Sequence, residues 1–159
     1  MIYTINKGSH YSGNLSVGGI HNGITAMEYS VMFDAACLIM PTQTDCVGDW
    51  NKLFGFSYGM HQTNSIRMVW KAISQGLIRI GWYNYSNGVV SSKGFTNVRA
   101  GEFYRMKIEY RPVDKVIYFS VEQTLVMAAY AIPPSMGYTL KPYFGGNCTA
   151  PTTMKIELK

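Results

Sequence analysis

Charge is scarce in this sequence, and acid is scarcest. Charged residues make up 14% of the 159 positions, against about 25% in ordinary soluble domains, and only nine are Asp or Glu. Glu28, Glu102, Glu109, Glu122 and Glu157 each stand alone, while Asp45 and Asp49 share one polar stretch. Low charge beside 47% apolar residues excludes a disordered chain and favours a compact, ordered one. The 14 Lys and Arg leave a net charge of +5, but they are scattered along the chain. Their closest grouping, Arg99, Arg105, Lys107 and Arg111, is interrupted by Glu102 and Glu109. A nucleic-acid-binding arm needs an unbroken basic run, so nucleic acid is not an expected partner.

Long apolar runs are missing too. No stretch approaches bilayer-spanning length, so membrane insertion is not expected. The opening MIYTINKGSHYSG has no basic segment followed by an apolar one and does not read as a signal peptide. The expectation is either a chain already in its mature form or synthesis in a cytoplasm with another route out, assembly into a virus particle being one. Cysteine is sparse: Cys37, Cys46 and Cys148 form an odd set and a poor disulfide framework. Three reduced thiols is the simpler reading, with a Cys37–Cys46 bridge as the alternative. No CxxC pair or Cys/His cluster offers a zinc site. Gly18-Gly19 and Gly145-Gly146 lack the strand–loop–helix setting of a phosphate loop, and no cofactor is implied. Sequons at Asn14, Asn84 and Asn147 matter only in a glycosylating compartment. With no repeat, low-complexity segment or linker, the chain reads as one domain over residues 1–159.

Aromatic residues are what the sequence has in quantity: 12 Tyr, seven Phe and three Trp, types that suit half-buried pleated surfaces. They fall in runs of period two, the signature of strands with one buried face. The stretch from Gly48 to Trp82 organises the rest. Ile66, Met68 and Trp70 share one face there, with Ser65 and Arg67 on the other; Ile78, Ile80 and Trp82 then face in while Arg79, Tyr83 and Tyr85 face out. Upstream, Ile2 to Ile5 and the neighbourhood of Tyr11 are strand-like, and Met27 to Phe33 alternates cleanly. Ala35 to Met40 is expected to continue as a more buried strand, followed by a polar loop over Pro41 to Asp49. Downstream, Asn87-Gly88 marks a hairpin leading into an edge strand over Val89 to Phe95. Phe103 to Tyr110 and Lys115 to Val121 pair across a Pro112-Val113-Asp114 turn. Leu125 to Ile132, Tyr138 to Phe144 and Met154 to Leu158 complete eleven or twelve strands. A helix over Thr124 to Tyr130 is the one competing assignment. An all-β antiparallel sandwich or jelly roll follows.

The pair FYRMKIEY and KVIYFSVE, followed by TLVMAAYAIP, resembles the late strands of the concanavalin A-like lectin/glucanase jelly rolls. WNKLFGFSYGMHQTNSIRMVW and LKPYFGGNCTAPTTMKIEL further resemble uncharacterised jelly-roll domains of Bacteroidetes and their phages. The resemblance covers most of the chain from about Met27 onward. It implies the fold, but carries no settled activity. Glycosidases of this fold use an E-x-D-x-x-E strand, and no such pattern occurs here. Lyases of similar fold use Arg, Gln or Asn, His and Tyr. His61-Gln62, Asn64, Arg67 and Tyr143 supply those types, although SIRMVW departs from R-x-E-L-R and YFGGN from Y-F-K-x-G-x-Y.

A binding role is the favoured reading. Sugar rings lay apolar faces on aromatic side chains and give their hydroxyls to polar partners. Trp50, Tyr83, Tyr85 and Tyr143 are the candidate platforms, and His61, Asn64, Arg67, Arg79 and Asn147 the candidate polar partners. Trp70 and Trp82 read as core. Arg67 and Arg79 on successive strands repel unless a carboxylate or ligand anion lies between them. Two acids in the otherwise ordinary polar loop Thr42 to Asp49 are weak grounds for calcium, and no required metal is expected. The expected partner is a glycan or glycosylated surface. A virion structural or decoration protein, contacting its own copies or particle neighbours, is the non-ligand alternative, and ten Met residues suit adaptable interfaces.

Overall fold

The computed structural model describes residues 1–13 and 17–159; the sequon at Asn14 lies outside them. Twelve strands occur among the described residues. They are β1 (Ile2–Ile5), β2 (Val17–Asn22), β3 (Ala26–Phe33), β4 (Asn51–Ser57), β5 (Ser65–Ile73) and β6 (Leu77–Ser86). The rest are β7 (Val89–Val98), β8 (Tyr104–Arg111), β9 (Val116–Val121), β10 (Thr124–Ala129), β11 (Met136–Leu140) and β12 (Met154–Leu158). Two antiparallel six-stranded sheets form, ordered β1-β12-β3-β8-β9-β10 and β2-β11-β4-β5-β6-β7. The chain passes repeatedly between them, as in a jelly roll. No helix among the described residues is long and apolar enough to cross a membrane.

Alternation places the core between the sheets. Phe54, Phe56, Ile66, Met68, Trp70, Ile78 and Ile80 come from the second sheet; Val31, Phe33, Met106, Ile108, Ile117, Phe119 and Ile156 meet them from the first, all buried. Trp70 packs 5.3 Å from Phe33, and Trp82 stacks on Phe119 at 6.0 Å and 15°. Both therefore face inward, as their strand positions require. Asn87 (φ 51°) and Gly88 (φ 79°) close the β6–β7 hairpin with the left-handed pair its twist favours.

Several local expectations change. Around Tyr11 only an isolated bridge to Tyr143 forms, and β2 occupies a stretch where no strand is expected. Ala35–Leu38 is a 3₁₀ turn rather than a strand. Asp34 caps it, accepting from the Cys37 N–H at 3.3 Å, and its other carboxylate oxygen takes the Lys155 N–H at 2.9 Å. A capping side chain offers the backbone an alternative to the ladder. The strand expected over Tyr138 to Phe144 ends at Leu140, because Pro142 has no donor for a ladder. Tyr143 then makes isolated bridges to Tyr11 and Lys52. Finally, Cys46 and Cys148 form a disulfide with Cα atoms 6.0 Å apart, and only Cys37 is free. Neither three thiols nor a Cys37–Cys46 bridge survives, since the fold lays the loop before β4 against the loop before β12.

Nor are the charges scattered once the sheets are assembled. The strands of the second sheet carry Lys52, Arg67, Lys71, Arg79 and Lys93 and not one acid. The first sheet's Arg105, Lys107 and Arg111 are matched locally. Glu28 pairs with Arg105 at 2.6 Å, and Glu109 with Lys107 at 2.6 Å and Arg111 at 2.9 Å.

Candidate functional site

The outward face of the second sheet builds a groove. Strand register sets Gly55 of β4 opposite Arg67 of β5, and Arg67 opposite Tyr83 of β6; Ser65 and Tyr85 form the next pair. A Cβ at Gly55 would run into the Ile66 carbonyl and approach Arg67 Cα at 2.9 Å. Glycine therefore lets β4 sit close to β5, and it leaves no side chain opposite Arg67. Loops raise the walls. Tyr143 and Gly145 to Asn147 stand on one side, and the turn carrying His61 and Gln62 on another. With Tyr11 they enclose about 550 Å³.

Each wall is anchored. Tyr143 stacks on His10 at 5.1 Å and meets Tyr11 edge-on at 5.3 Å. The Tyr138 hydroxyl accepts from the His61 backbone N–H at 3.1 Å and lies 2.7 Å from His61 Nδ1. The hydroxyl oxygen can accept from Nδ1–H or donate its own hydrogen to a bare Nδ1, so this contact fixes the ring's position in either tautomer. Burial, then the Arg67 charge, lowers the His61 pKa and favours the neutral form. On the floor, Tyr83 and Tyr85 pack edge-to-face at 5.6 Å.

Two cations occupy the groove without a carboxylate partner. Arg67 is only 8% exposed, and its Nε has no hydrogen-bond partner. Burial lowers its pKa to about 10, against the opposing influence of Tyr83, Tyr85, Tyr138 and Tyr143. The Lys52 ammonium donates to the Trp50 carbonyl at 2.8 Å and to the Gly145 carbonyl at 3.4 Å, and lies 4.9 Å from the Tyr83 ring centre. Burial and then Arg67 push Lys52 down to about 8, with Asp49 opposing. Asp49 itself accepts from the Gly146 N–H at 3.3 Å. None of the four ion pairs among the described residues includes Lys52 or Arg67. Burial, followed by a hydrogen bond with Tyr85, raises Tyr83 to about 12.

Of the residues singled out in the sequence, His61, Arg67, Tyr83, Tyr85, Tyr143 and Asn147 line this groove. Trp50, Asn64 and Arg79 lie outside it. Trp50 covers the outer face of Gly81 and Gly94, where an added Cβ would meet its ring at 2.8 and 3.1 Å, and Lys71 sits 4.4 Å over it. The Asn64 side chain accepts from the Asn87 N–H at 2.9 Å and ties one turn to another. Arg79 donates to Asn97 at 3.2 Å. Arg67 and Arg79 occupy different β5–β6 pairs, the first opposite Tyr83 and the second opposite Lys71.

Lys52, Tyr11 and the Gly145-Gly146 backbone are lining groups that sequence reasoning did not single out. A lone lysine within the apolar run around β4 was the available signal for Lys52. Asp45 lies beside Cys46 and Cys148 in a grouping of metal-ligand type. The two sulfurs are bonded to each other, which leaves Asp45 as the one donor free there.

No protein-family model and no curated protein matches the chain. Among solved structures, it is similar to a Bacillus licheniformis β-glucanase, with TM-score 0.53, 14% identity, 88% of this chain covered and 65% of that one. It is also similar to alginate lyase A1-II′ of polysaccharide lyase family 7, with TM-score 0.52, 13% identity and coverage of 97% and 62%. A carbohydrate-binding module, CBM66 from Bacillus subtilis, aligns at TM-score 0.46 and 10% identity over 89% of this chain and 74% of that one. The chain thus spans less than two thirds of the glucanase and of the lyase. Two antiparallel six-stranded sheets and the likenesses to the glucanase and the lyase establish the fold as a concanavalin A-like jelly-roll sandwich.

Proposed function

We propose that the chain acts as one non-catalytic, glycan-binding β-sandwich domain, with its site in the groove over β4, β5 and β6. The observation that carries this reading is the groove's composition. Tyr11, Tyr83, Tyr85 and Tyr143 line one 550 Å³ concavity, and His61, Gln62 and Asn147 stand beside them. Rings give apolar area to sugar faces at low entropic cost, and amide and imidazole groups satisfy hydroxyls. The names of the fold neighbours, a glucanase and an alginate lyase, agree with a saccharide ligand. A glycan array probed with the wild-type protein beside Tyr85→Ala and Tyr143→Ala tests the reading. Wild-type signal that falls about tenfold in either variant, the loss of one good aromatic contact, is expected. A blank array overturns it.

Display on a phage or virion surface belongs to the same proposal. Ile20, Met60 and Met136 are exposed about the β2–β11 edge and supply apolar surface for a neighbouring copy. Sedimentation should show an oligomer that Ile20→Glu dissociates; a monomer at every concentration rejects self-assembly through this edge.

Lyase-type cleavage is the second reading, because His61, Gln62, Arg67 and Tyr143 line one groove. Ultraviolet absorbance from an unsaturated product, lost in Tyr143→Phe, would replace the non-catalytic reading with this one. Glycosidase chemistry finds no support, since it needs two carboxylates flanking the bond and the groove walls contain none.

A further inference from the structure

Arg67 poses a physical problem that its own fold leaves open. A guanidinium buried to this degree loses hydration worth several kcal/mol, and native proteins normally offset that with a carboxylate or a full set of acceptors. Here the Nε is orphaned, and a second half-buried cation, Lys52, lies in the same groove. Two like charges so placed raise the cost of each other. The bland alternative is a structural arginine resting on tyrosine rings. That alternative accounts for Arg67 alone. It leaves unexplained why Lys52 joins it and why the strands of this sheet hold five basic residues and no acid. On the opposite sheet the same chain matches Arg105, Lys107 and Arg111 with Glu28 and Glu109.

Building on the glycan-binding reading, we infer that the ligand is an anionic saccharide whose oxyanion is held between the Arg67 guanidinium and the Lys52 ammonium. The planar fork of Arg67 matches a carboxylate or a sulfate, and Lys52 adds a point charge. Tyr83, Tyr85 and Tyr143 take the adjoining sugar rings. The His61 Nε2 and the Asn147 amide are polar partners for hydroxyls. Asp49, held by the Gly146 N–H, is the one acid that opposes the lowering of the Lys52 pKa, and it does not line the groove.

Two experiments test this. In affinity electrophoresis, the protein is run through gels containing polygalacturonate, its carboxyl-reduced neutral counterpart, or dextran sulfate. Arg67→Met and Lys52→Met are run beside wild type. Retardation by polygalacturonate, at least tenfold weaker with the reduced polymer and in either variant, supports a carboxylate ligand. The same pattern with dextran sulfate alone supports a sulfate ester. Equal retardation by the neutral polymer overturns the inference while leaving the glycan reading intact. Retardation by every polyanion that survives both substitutions also overturns it, since general surface charge then suffices. Separately, galacturonate and inorganic sulfate are titrated into ¹⁵N-labelled protein while the Arg67 Nε–Hε resonance is followed. A saturating shift, absent in Lys52→Met, supports the oxyanion site even if the array is blank. No shift with either anion overturns it.

Discussion

Arg67 and Lys52 set the groove's energetics, and each predicts a trade of stability against binding. Removing a buried, unpaired charge while keeping the side-chain volume should stabilise the free protein. Arg67→Met is expected to raise the stability of the ligand-free fold by about 1 kcal/mol or more in urea titration while abolishing anion retention. A destabilised variant would show that the guanidinium is already satisfied within the fold. Lys52 gives the same trade a pH dependence. Burial and Arg67 hold its folded pKa at about 8, below the roughly 10.4 of an unfolded lysine. Between these values the unfolded chain binds the extra proton, so this group's contribution makes stability rise with pH. Anion affinity should fall over the same interval as the ammonium is lost. The cation and phenol beside Lys52 do not reverse this, because Arg67 titrates near 10 and Tyr83 near 12. Calorimetric titration of galacturonate from pH 7 to pH 9 should show the decline, and Lys52→Met should show none. A flat wild-type profile would remove Lys52 from the site.

Among the elements, β4 and β5 depend on a single missing side chain. Gly55 faces Arg67 across the ladder, and its Cβ position is taken by the β5 backbone. Backbone cannot move aside as a flexible side chain can. Gly55→Ala should therefore cost at least about 1–3 kcal/mol, as overpacking does, and should loosen the groove floor. Hydrogen exchange confined to β4 and β5 would report it, and unchanged protection there would refute the account. The strands themselves were legible, because Ile66-x-Met68-x-Trp70 and Ile78-x-Ile80-x-Trp82 alternate without interruption and Asn87-Gly88 announces its own turn. Arg67, Tyr83 and Tyr85 were readable as outward-facing for the same reason. Legibility failed where a side chain competed with the ladder. Asp34 capping turned Ala35–Leu38 into 3₁₀, and Pro142 cut β11 short, although Tyr143 still reached the groove. Trp50 lies beyond the reach of strand periodicity, because it precedes β4 and covers Gly81 and Gly94 on other strands.

At the scale of the whole molecule, what escapes the sequence is anything that depends on which strands share a sheet. Linear spacing shows basic residues scattered; topology collects five of them, without an acid, on one sheet. The disulfide escapes for the same reason, since Cys46 and Cys148 are 102 residues apart. It joins the loop before β4 to the loop that supplies Gly145, Gly146 and Asn147 to the groove wall. Closing a loop of that length restricts the unfolded chain by up to about 4.7 kcal/mol on the chain-entropy view. Reduction, or the Cys46→Ser/Cys148→Ser double variant, should lower stability substantially and weaken galacturonate binding together, because the wall loses its tether. Cys37 supplies an internal control. It is buried, and burial with Asp34 beside it pushes its thiol pKa up, so it resists alkylation while folded. Iodoacetamide should label no thiol in the native protein, one after unfolding without reductant, and all three after reduction and unfolding. Three labels without reductant would refute the bridge. One label, with binding unchanged on reduction, would keep the bridge and confine its effect to the unfolded chain, leaving the wall to be held by the Asn51 side chain. Asn51 accepts from the Gly145 N–H at 2.6 Å and anchors that loop independently of sulfur.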